Sequence, residues 1–256
     1  MDAKKALVRR PSPRMAEGLV THIERTPVDP DLAQQQWEGY VQALTDAGWQ
    51  VTEVAAAPEC ADSAFVEDTV VVYGDLAVIA RPGAVERQPE TAGTEKAVTE
   101  AGYRVAHIVA PGTLDGGDVL KFADTVYVGQ GGRTNAEGIR QLAEHLAPLG
   151  ATVVTVPLTK VLHLKSAVTA LPDGTVIGYE PVVDDPSVFA KFMAVPEEPG
   201  SHVVLLDERR LLMSSRAPKT TEILQGMGYQ PVLVDIGEFE KLEGCVTCLS
   251  VRMRGI

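Results

Sequence analysis

The order of apolar runs along the chain constrains its fold more than any single motif does. Paired short apolar runs with a turn between them recur at TVVVYGDLAVIA (69–80), DVLKFADTVYVG (118–129), AVTALPDGTVIGY (167–179) and HVVLLDERRLLM (202–213), and each pair reads as a β-hairpin. Helical segments such as ETAGTEKAVTEAG, TNAEGIRQLAEHLAPLG and APKTTEILQGMGY follow, and after most of them comes a single strand, YRVAHIVA, ATVVTVPL or QPVLVDIG. The unit is hairpin, helix, strand. A fifth copy is completed only by joining the chain ends: VTCLSVRM (246–253) pairs against ALVRR (6–10), followed by the helix in DLAQQQWEGYVQALTDAG and the strand WQVTEVAA. Successive hairpins start roughly 35 to 50 residues apart, the period range of propellers and other repeat arrays. The fourth unit looks clipped, because little strand-like sequence separates KFMAV from SHVV. The expected fold is therefore α/β: a five-bladed, pseudo-symmetric α/β propeller of ββαβ units around a central active site, helices outside, forming one domain over residues 1–256.

Polar residues just before the hairpins fall into register: FVED before TVVV, LDGGD before VLKF, HLKS before AVTA, and GCVTC at the start of the last strand. If rotation relates the units, Glu67, Asp68, Asp115, Asp118, His163 and Cys248 enter from one end of the ring and converge on its axis. Each hairpin returns its second strand to that end, which brings Arg10, Arg81, Arg133 and Arg216 to the rim. Acids, a histidine, a cysteine and arginines then meet where a small-molecule pocket belongs. Each has an ordinary reading when taken alone: a satisfied structural His, a small buried Cys, solvated arginines at strand ends. Their shared register is what argues for chemistry. The stretch TLDGGDVLKF (113–122) raises its own question, since one acid and one glycine suffice for a tight turn, as in PDG at 172–174. Asp118 is expected to be structural, its carboxylate bonding backbone N–H groups around the GGD turn.

Composition enters where partners are concerned. The apolar runs fall far short of a membrane span, and MDAKKALVRRPSPR has no apolar stretch behind its basic residues, so a cytoplasmic location and no membrane partner are expected. A formal net charge of −12 argues against nucleic acid and favours a cationic ligand. Three cysteines, Cys60, Cys245 and Cys248, are too few for a disulfide scaffold, and reduced thiols are expected. Cys245 and Cys248 fit the C-x-x-C pattern. A thioredoxin-like motif would open a helix, whereas Cys248 leads into LSVRM, and a structural zinc would need a second ligand pair; neither reading is adopted.

Taken together, FVED, RPGA, TLDGGDVL, GRTN, HLKS and TCLS resemble, in order and spacing, the dimethylarginine dimethylaminohydrolases, members of the guanidine-modifying superfamily with five-bladed α/β propellers. The resemblance runs from about Ala6 to Arg252. It implies hydrolysis of asymmetric dimethylarginine, and of monomethylarginine, to citrulline and dimethylamine or methylamine, with no metal or organic cofactor. A guanidinium is a delocalised cation that resists attack until its charge is held and its leaving amine is protonated. By the resemblance, Cys248 attacks the guanidinium carbon as a thiolate. His163 protonates the departing amine, then deprotonates the water that releases citrulline from an S-alkylthiouronium intermediate. Asp115, the first acid of DGGD, is the third catalytic residue. Asp68 and Asp115 would hydrogen-bond the guanidinium, Glu67 would support that end of the pocket, and Asp62 would take the α-ammonium. Arg81 and Arg133 would clamp the α-carboxylate. SPRMAEGL resembles the family's flexible lid, which implies that Leu19 closes over the substrate, while the backbone carbonyl near Leu242 also meets the ammonium. A homodimer is compatible with the resemblance.

The nearest alternative is an arginine or agmatine deiminase, which shares the propeller and the Cys-His pair. Arginine deiminases are considerably longer, and deiminases place an acid two residues after the His, where this chain has Lys165. A non-enzymatic guanidine-binding protein is a further alternative, made less attractive by the intact Cys-His-Asp set.

Overall fold

Each apolar pair becomes an antiparallel hairpin, and the strand beyond it adds in parallel to the second arm, so the repeat builds one three-stranded sheet at a time. The computed structural model describes residues 4–253. The chain opens with β1 (Lys5–Val8), α1 (Pro30–Asp46) and β2 (Gln50–Glu53), then β3 (Val70–Tyr73), β4 (Leu76–Ile79), α2 (Thr91–Glu100) and β5 (Arg104–His107). The third unit is β6 (Val119–Phe122), β7 (Thr125–Gln130), α3 (Ala136–Leu146) and β8 (Thr152–Pro157), and the fourth is β9 (Val168–Ala170), β10 (Val176–Gly178) and β11 (Phe192–Ala194). The fifth is β12 (Val203–Leu205), β13 (Arg210–Ser214), α4 (Pro218–Gly226) and β14 (Gln230–Val234), after which a short α5 (Gly237–Glu240) leads to β15 (Val251–Met253). That last strand completes the first sheet, antiparallel to β1 with Lys5 opposite Met253, while β2 lies parallel on the other side.

Five apolar clusters close the ring, each shared by two successive sheets. Leu7 and Val251 pack with Val70 and Ile79; Val78 with Val119 and Val128; Leu120 with Val168 and Val176; Ile177 with Val203 and Leu211. Val204 and Leu212 return to Ala6 and Val8. Each fully buried Val, Leu or Ile contributes about 1.5–3 kcal/mol. The helices cover the outside: α1 starts at Pro30 behind an Asp29 cap that accepts from the Asp31 and Leu32 N–H groups, and it buries Ala33, Trp37, Tyr40 and Leu44 on one face. The fourth unit is clipped in its helix rather than in its strand. Pro181 and Pro186 stand at the starts of two single 3₁₀ turns between β10 and β11, where they preclude a continuous ladder of helix hydrogen bonds. No helix among the described residues is long and apolar enough to cross a membrane.

Three 3₁₀ turns, Val66–Thr69, Gly116–Asp118 and Leu164–Ser166, precede β3, β6 and β9 at equivalent places, and a turn through Cys248 precedes β15. Single hydrogen bonds link them around the axis. Glu67 N donates to the Cys248 carbonyl (3.1 Å), Gly117 N to Asp68 Oδ1 (2.8 Å), and Leu164 N to Asp118 Oδ1 (2.9 Å). The polar residues that the sequence aligned are carried on these turns.

Candidate active site

The glycine pair in TLDGGDVLKF exists because two chain segments press against it. A Cβ on Gly116 would stand 2.0 Å from the Glu67 carbonyl oxygen, and one on Gly117 would stand 2.6 Å from Asp68 Oδ1 and 2.7 Å from His163 Nδ1. With hydrogens there, Asp115, Asp68 and His163 come together. His163 Nε2 lies 2.9 Å from Asp115 Oδ2, and its Nδ1 lies 3.8 Å from Asp68 Oδ1. The second acid of the pair does not bond the N–H groups of its own turn: Asp118 accepts from Leu164 N and from Thr134 Oγ1 (2.6 Å), which fixes the segment that carries His163.

A small cavity opens among Leu19, Asp62, Phe65, Asp68, Arg87, Arg133, Leu162, His163, Leu242, Glu243, Gly244 and Cys248. Asp115 stands directly behind its histidine. Asp115 Oδ1 accepts from Gly83 N (2.9 Å), within the RPGA turn, and Oδ2 faces Arg133 Nη1 at 3.4 Å. Leu19 lies over the cavity with its N–H between the two Asp62 oxygens, at 3.2 and 3.1 Å. The segment that follows is tied down by Glu243, whose carboxylate accepts from Thr21 N (2.7 Å) and His22 N (2.8 Å).

The electrostatics follow from burial opposed by neighbours. Burial disfavours a charged His163, but Asp68, Asp118 and Asp115 outweigh it and raise its pKa to about 9. Asp68 is also penalised by burial, yet His163, Arg87 and Arg133 hold it at about 2. Asp118, with burial dominating, rises to about 6. Cys248 is held above its ordinary value by its hydrogen bond with Cys245, by burial and by the nearby acids Glu67 and Asp68. Ligand atoms of Asp68, Asp115 and His163 lie within 4.8 Å of one another, close enough to share a metal ion. A histidine protonated at neutral pH offers no lone pair, and Arg87 and Arg133 already stand on the two carboxylates, so the donor set suits an organic cation better.

Three sequence-derived site residues lie off the cavity wall: Arg81, Glu67 and Asp115, the last behind His163 with its oxygens on Gly83 N, Arg133 and the imidazole. Arg81 does not line the cavity: it pairs with Leu114 in an isolated bridge, and its Nη1 reaches the Gly112 carbonyl (3.2 Å). The arginine beside Arg133 is Arg87, which sits on a 3₁₀ segment, donates to Asp68 Oδ2 (2.6 Å) and holds Glu90 through Nε and Nη2. Glu67 faces away from the cavity. Its Oε1 meets Lys165 Nζ (2.6 Å) and Arg252 Nη2 (2.5 Å), so Lys165 also lies beneath the site rather than in it. Arg10 and Arg216 stay on the rim, paired with Glu53 and Glu240. The sequence signal for Arg87 was weak, since a 3₁₀ stretch carries no periodicity to say which way a side chain turns. Glu243 had none beyond its place next to Leu242.

No protein-family profile matches the chain. It is 65% identical over 254 residues, 99% of this chain and 98% of its relative, to an N(G),N(G)-dimethylarginine dimethylaminohydrolase of Streptomyces coelicolor. Its fold superposes on a dimethylarginine dimethylaminohydrolase of Pseudomonas aeruginosa, solved as a cysteine-to-serine mutant complexed with citrulline, with a TM-score of 0.91, 32% identity and coverage of 99% and 100% of the two chains. A dimethylarginine dimethylaminohydrolase histidine-to-glycine variant, solved as an adduct with S-methyl-L-thiocitrulline, matches with the same TM-score of 0.91 at 31% identity over 99% of this chain and 100% of that one.

Proposed function

This chain belongs to the dimethylarginine dimethylaminohydrolase family, and from that membership and the cavity's geometry we infer that it hydrolyses asymmetric dimethylarginine to citrulline and dimethylamine with Cys248 as nucleophile. The observation that carries the residue assignment is that Cys248, His163 and Asp68 share one small cavity with Asp62 and Arg133. Such a cavity suits a molecule with a cation at one end and an amino-acid head at the other. Asp68, on the cavity wall, takes the guanidinium, while Asp115 stays behind His163 with its oxygens on Gly83 N, Arg133 and the imidazole. Asp62, already capped by the Leu19 N–H, takes the α-ammonium together with the backbone carbonyl near Leu242. Arg133 and Arg87 take the α-carboxylate; of Arg87's five N–H groups, one on Nη1 is left once Asp68, Glu90 and the Asp62 and Phe65 carbonyls are served. Arg87 thus replaces Arg81 in this role.

The acids that bind the substrate also hold the nucleophile back. Asp68, with Glu67 beneath the site, helps to keep Cys248 protonated in the free site, and a guanidinium docked on Asp68 offsets that charge and favours the thiolate. The thiolate sulfur bonds to the guanidinium carbon. The C–N bond then breaks with its electron pair going to nitrogen, which takes the proton from His163 and leaves as dimethylamine. The neutral imidazole next removes a proton from water, the resulting hydroxide adds to the same carbon, and the C–S bond breaks to return the thiolate while the new hydroxyl gives its proton to solvent, which releases citrulline. Asp115 holds the ring through Nε2 and favours its cationic form before the first half-reaction.

A deiminase site would need further acceptors for unsubstituted nitrogens. Position 165, where such an acid would stand, carries a lysine whose ammonium is committed to Glu67 below the cavity. The deciding experiment incubates the purified protein with asymmetric dimethylarginine and measures both products. Equal amounts of citrulline and dimethylamine are expected; ammonia from free arginine, with the methylated substrate left untouched, would replace this reading with the deiminase.

A further inference from the structure

The catalytic mechanism uses one thiol of the C-x-x-C pair and leaves the other unexplained. Cys245 is 2% exposed, and its sulfur lies 3.4 Å from Cys248 Sγ, 3.2 Å from Thr247 Oγ1 and 3.8 Å from the Lys165 carbonyl. Nothing in those contacts requires sulfur for packing. The backbone between the two cysteines is a tight turn in which Cys248 N donates to the Cys245 carbonyl (3.1 Å). A turn of this kind keeps its end Cα atoms within about 7 Å, which overlaps the roughly 4.4–6.8 Å span of disulfides. The sulfurs already touch, so side-chain rotation suffices to join them. Their surroundings divide the labour: Cys248 lines the substrate cavity and Cys245 stands behind it.

We propose that Cys245 is a resolving thiol for Cys248, so that oxidation of the nucleophile by a hydroperoxide ends in a reversible Cys245–Cys248 disulfide. In the first step the Cys248 thiolate attacks one peroxide oxygen, the O–O bond breaks, and a sulfenic acid forms as hydroxide or alkoxide leaves and takes up a proton. In the second, the Cys245 thiolate attacks the Cys248 sulfur, and hydroxide leaves as water once protonated. Two thiols supply the two electrons that reduce the peroxide. An external thiol reductant reverses the bond by exchange and is itself oxidised to a disulfide. The hydrogen bond from Cys248 favours the thiolate of Cys245, which suits it to the second step. Cys60, the third free thiol, donates to the Glu86 carbonyl and serves as an internal control.

The loss of activity in this scheme rests on Cys248 being the nucleophile, so the bond and the activity are read separately. The protein is treated with hydrogen peroxide, then examined by intact mass and by alkylation of remaining thiols after denaturation, with turnover measured before and after dithiothreitol. Wild type is expected to lose two hydrogens and two of its three alkylatable thiols. Its activity falls in step and returns with dithiothreitol. Cys245→Ser keeps its starting activity but gains two or three oxygens at Cys248, and dithiothreitol restores at least roughly tenfold less of its activity than in the wild type. Oxygen gain without hydrogen loss in the wild type, or equal recovery in Cys245→Ser, overturns the proposal. A disulfide that forms while turnover persists supports the thiol pairing and overturns the nucleophile assignment instead.

Discussion

Glu67 and Asp68 are consecutive residues of one 3₁₀ turn, both almost fully buried, yet they face opposite ends of the propeller axis. Below, Glu67 Oε1 meets two cations, Lys165 and Arg252, and its charge is spent within the protein. Above, Asp68 belongs to a group of five carboxyls, Asp62, Asp68, Glu90, Asp115 and Asp118, that is served by four cations, Arg87, Arg133, the His163 imidazolium and the buried Arg9 beside Glu90. Burial is the same on both sides, so burial does not separate a structural acid from a functional one. The local balance of charge does. The floor has more cations than acids and is closed to further positive charge, while the upper cavity has an excess of acid that a guanidinium completes.

This contrast makes the upper face the place where substitutions cost chemistry and the floor the place where they cost stability. Cys248→Ser should lower kcat by at least about a thousandfold with the melting temperature little changed, since a hydroxyl is far less ionised than a thiol. An equal loss in Cys245→Ser would blur the two positions. The neighbouring acids give the direct test. Asp68→Asn should lower kcat/KM roughly 10²- to 10³-fold by removing a carboxylate from the guanidinium. Glu67→Gln strands two cations at the floor, which costs about 3 kcal/mol and lowers the melting temperature by roughly 6–12 °C. If instead Glu67→Gln abolishes turnover at an unchanged melting temperature, the floor takes part in the chemistry and the contrast fails.

Two smaller effects sharpen it. With Glu67 neutralised from below and Asp115 behind His163, the proposed pose leaves Asp68 as the carboxylate at the guanidinium end, so kcat/KM for asymmetric dimethylarginine should exceed that for free arginine by at least roughly tenfold. Parity in side-by-side kinetics would mean a further acceptor serves the cavity. The last effect is a pH slope that belongs to the upper face. His163 has its folded pKa raised to about 9 from 6.5, so its stabilisation is complete below pH about 6.5 and is lost as pH rises through about 9. Between those limits stability should fall by up to about 1.4 kcal/mol per pH unit. Urea unfolding of wild type and His163→Gly at pH 7 and 9 checks this; the same slope in both would exclude His163 as its source.

The repeat was legible because strand and helix periods differ, and because four hairpins, three of them with matching polar prefixes, leave few ways to arrange the units. Directions of side chains outside that periodicity were not. Arg81 follows a strand and invites a place at its end, but a backbone bridge to Leu114 turns it toward Gly112. Arg87 lies in a stretch whose inward turn depends on contacts with Asp68 and Glu90. Lys165 shows the same limit from another side: the charge at that position can be read from the sequence, whereas its placement under the cavity depends on Glu67 and Arg252, which only the folded ring brings together. Glu243 acts on Thr21 and His22 across more than two hundred residues, and no local pattern records a contact of that span.

The sheet made by the two ends of the chain sets the order in which the site can be assembled. Tyr40 OH holds the Val246 carbonyl and Ser250 Oγ, Arg252 ties the same turn to Glu67, and β15 docks on β1. During synthesis every other group in the cavity emerges from the ribosome before residues 245–253 do. Ring closure over so long a loop adds only slowly to the entropic cost, about 0.6 kcal/mol per doubling of length, but it must wait for the final strand. A nascent chain therefore carries its acids, and later its histidine, before the Cys248 thiol arrives. The Cys248 sulfur is delivered into its setting in the same event that seals the ring of blades.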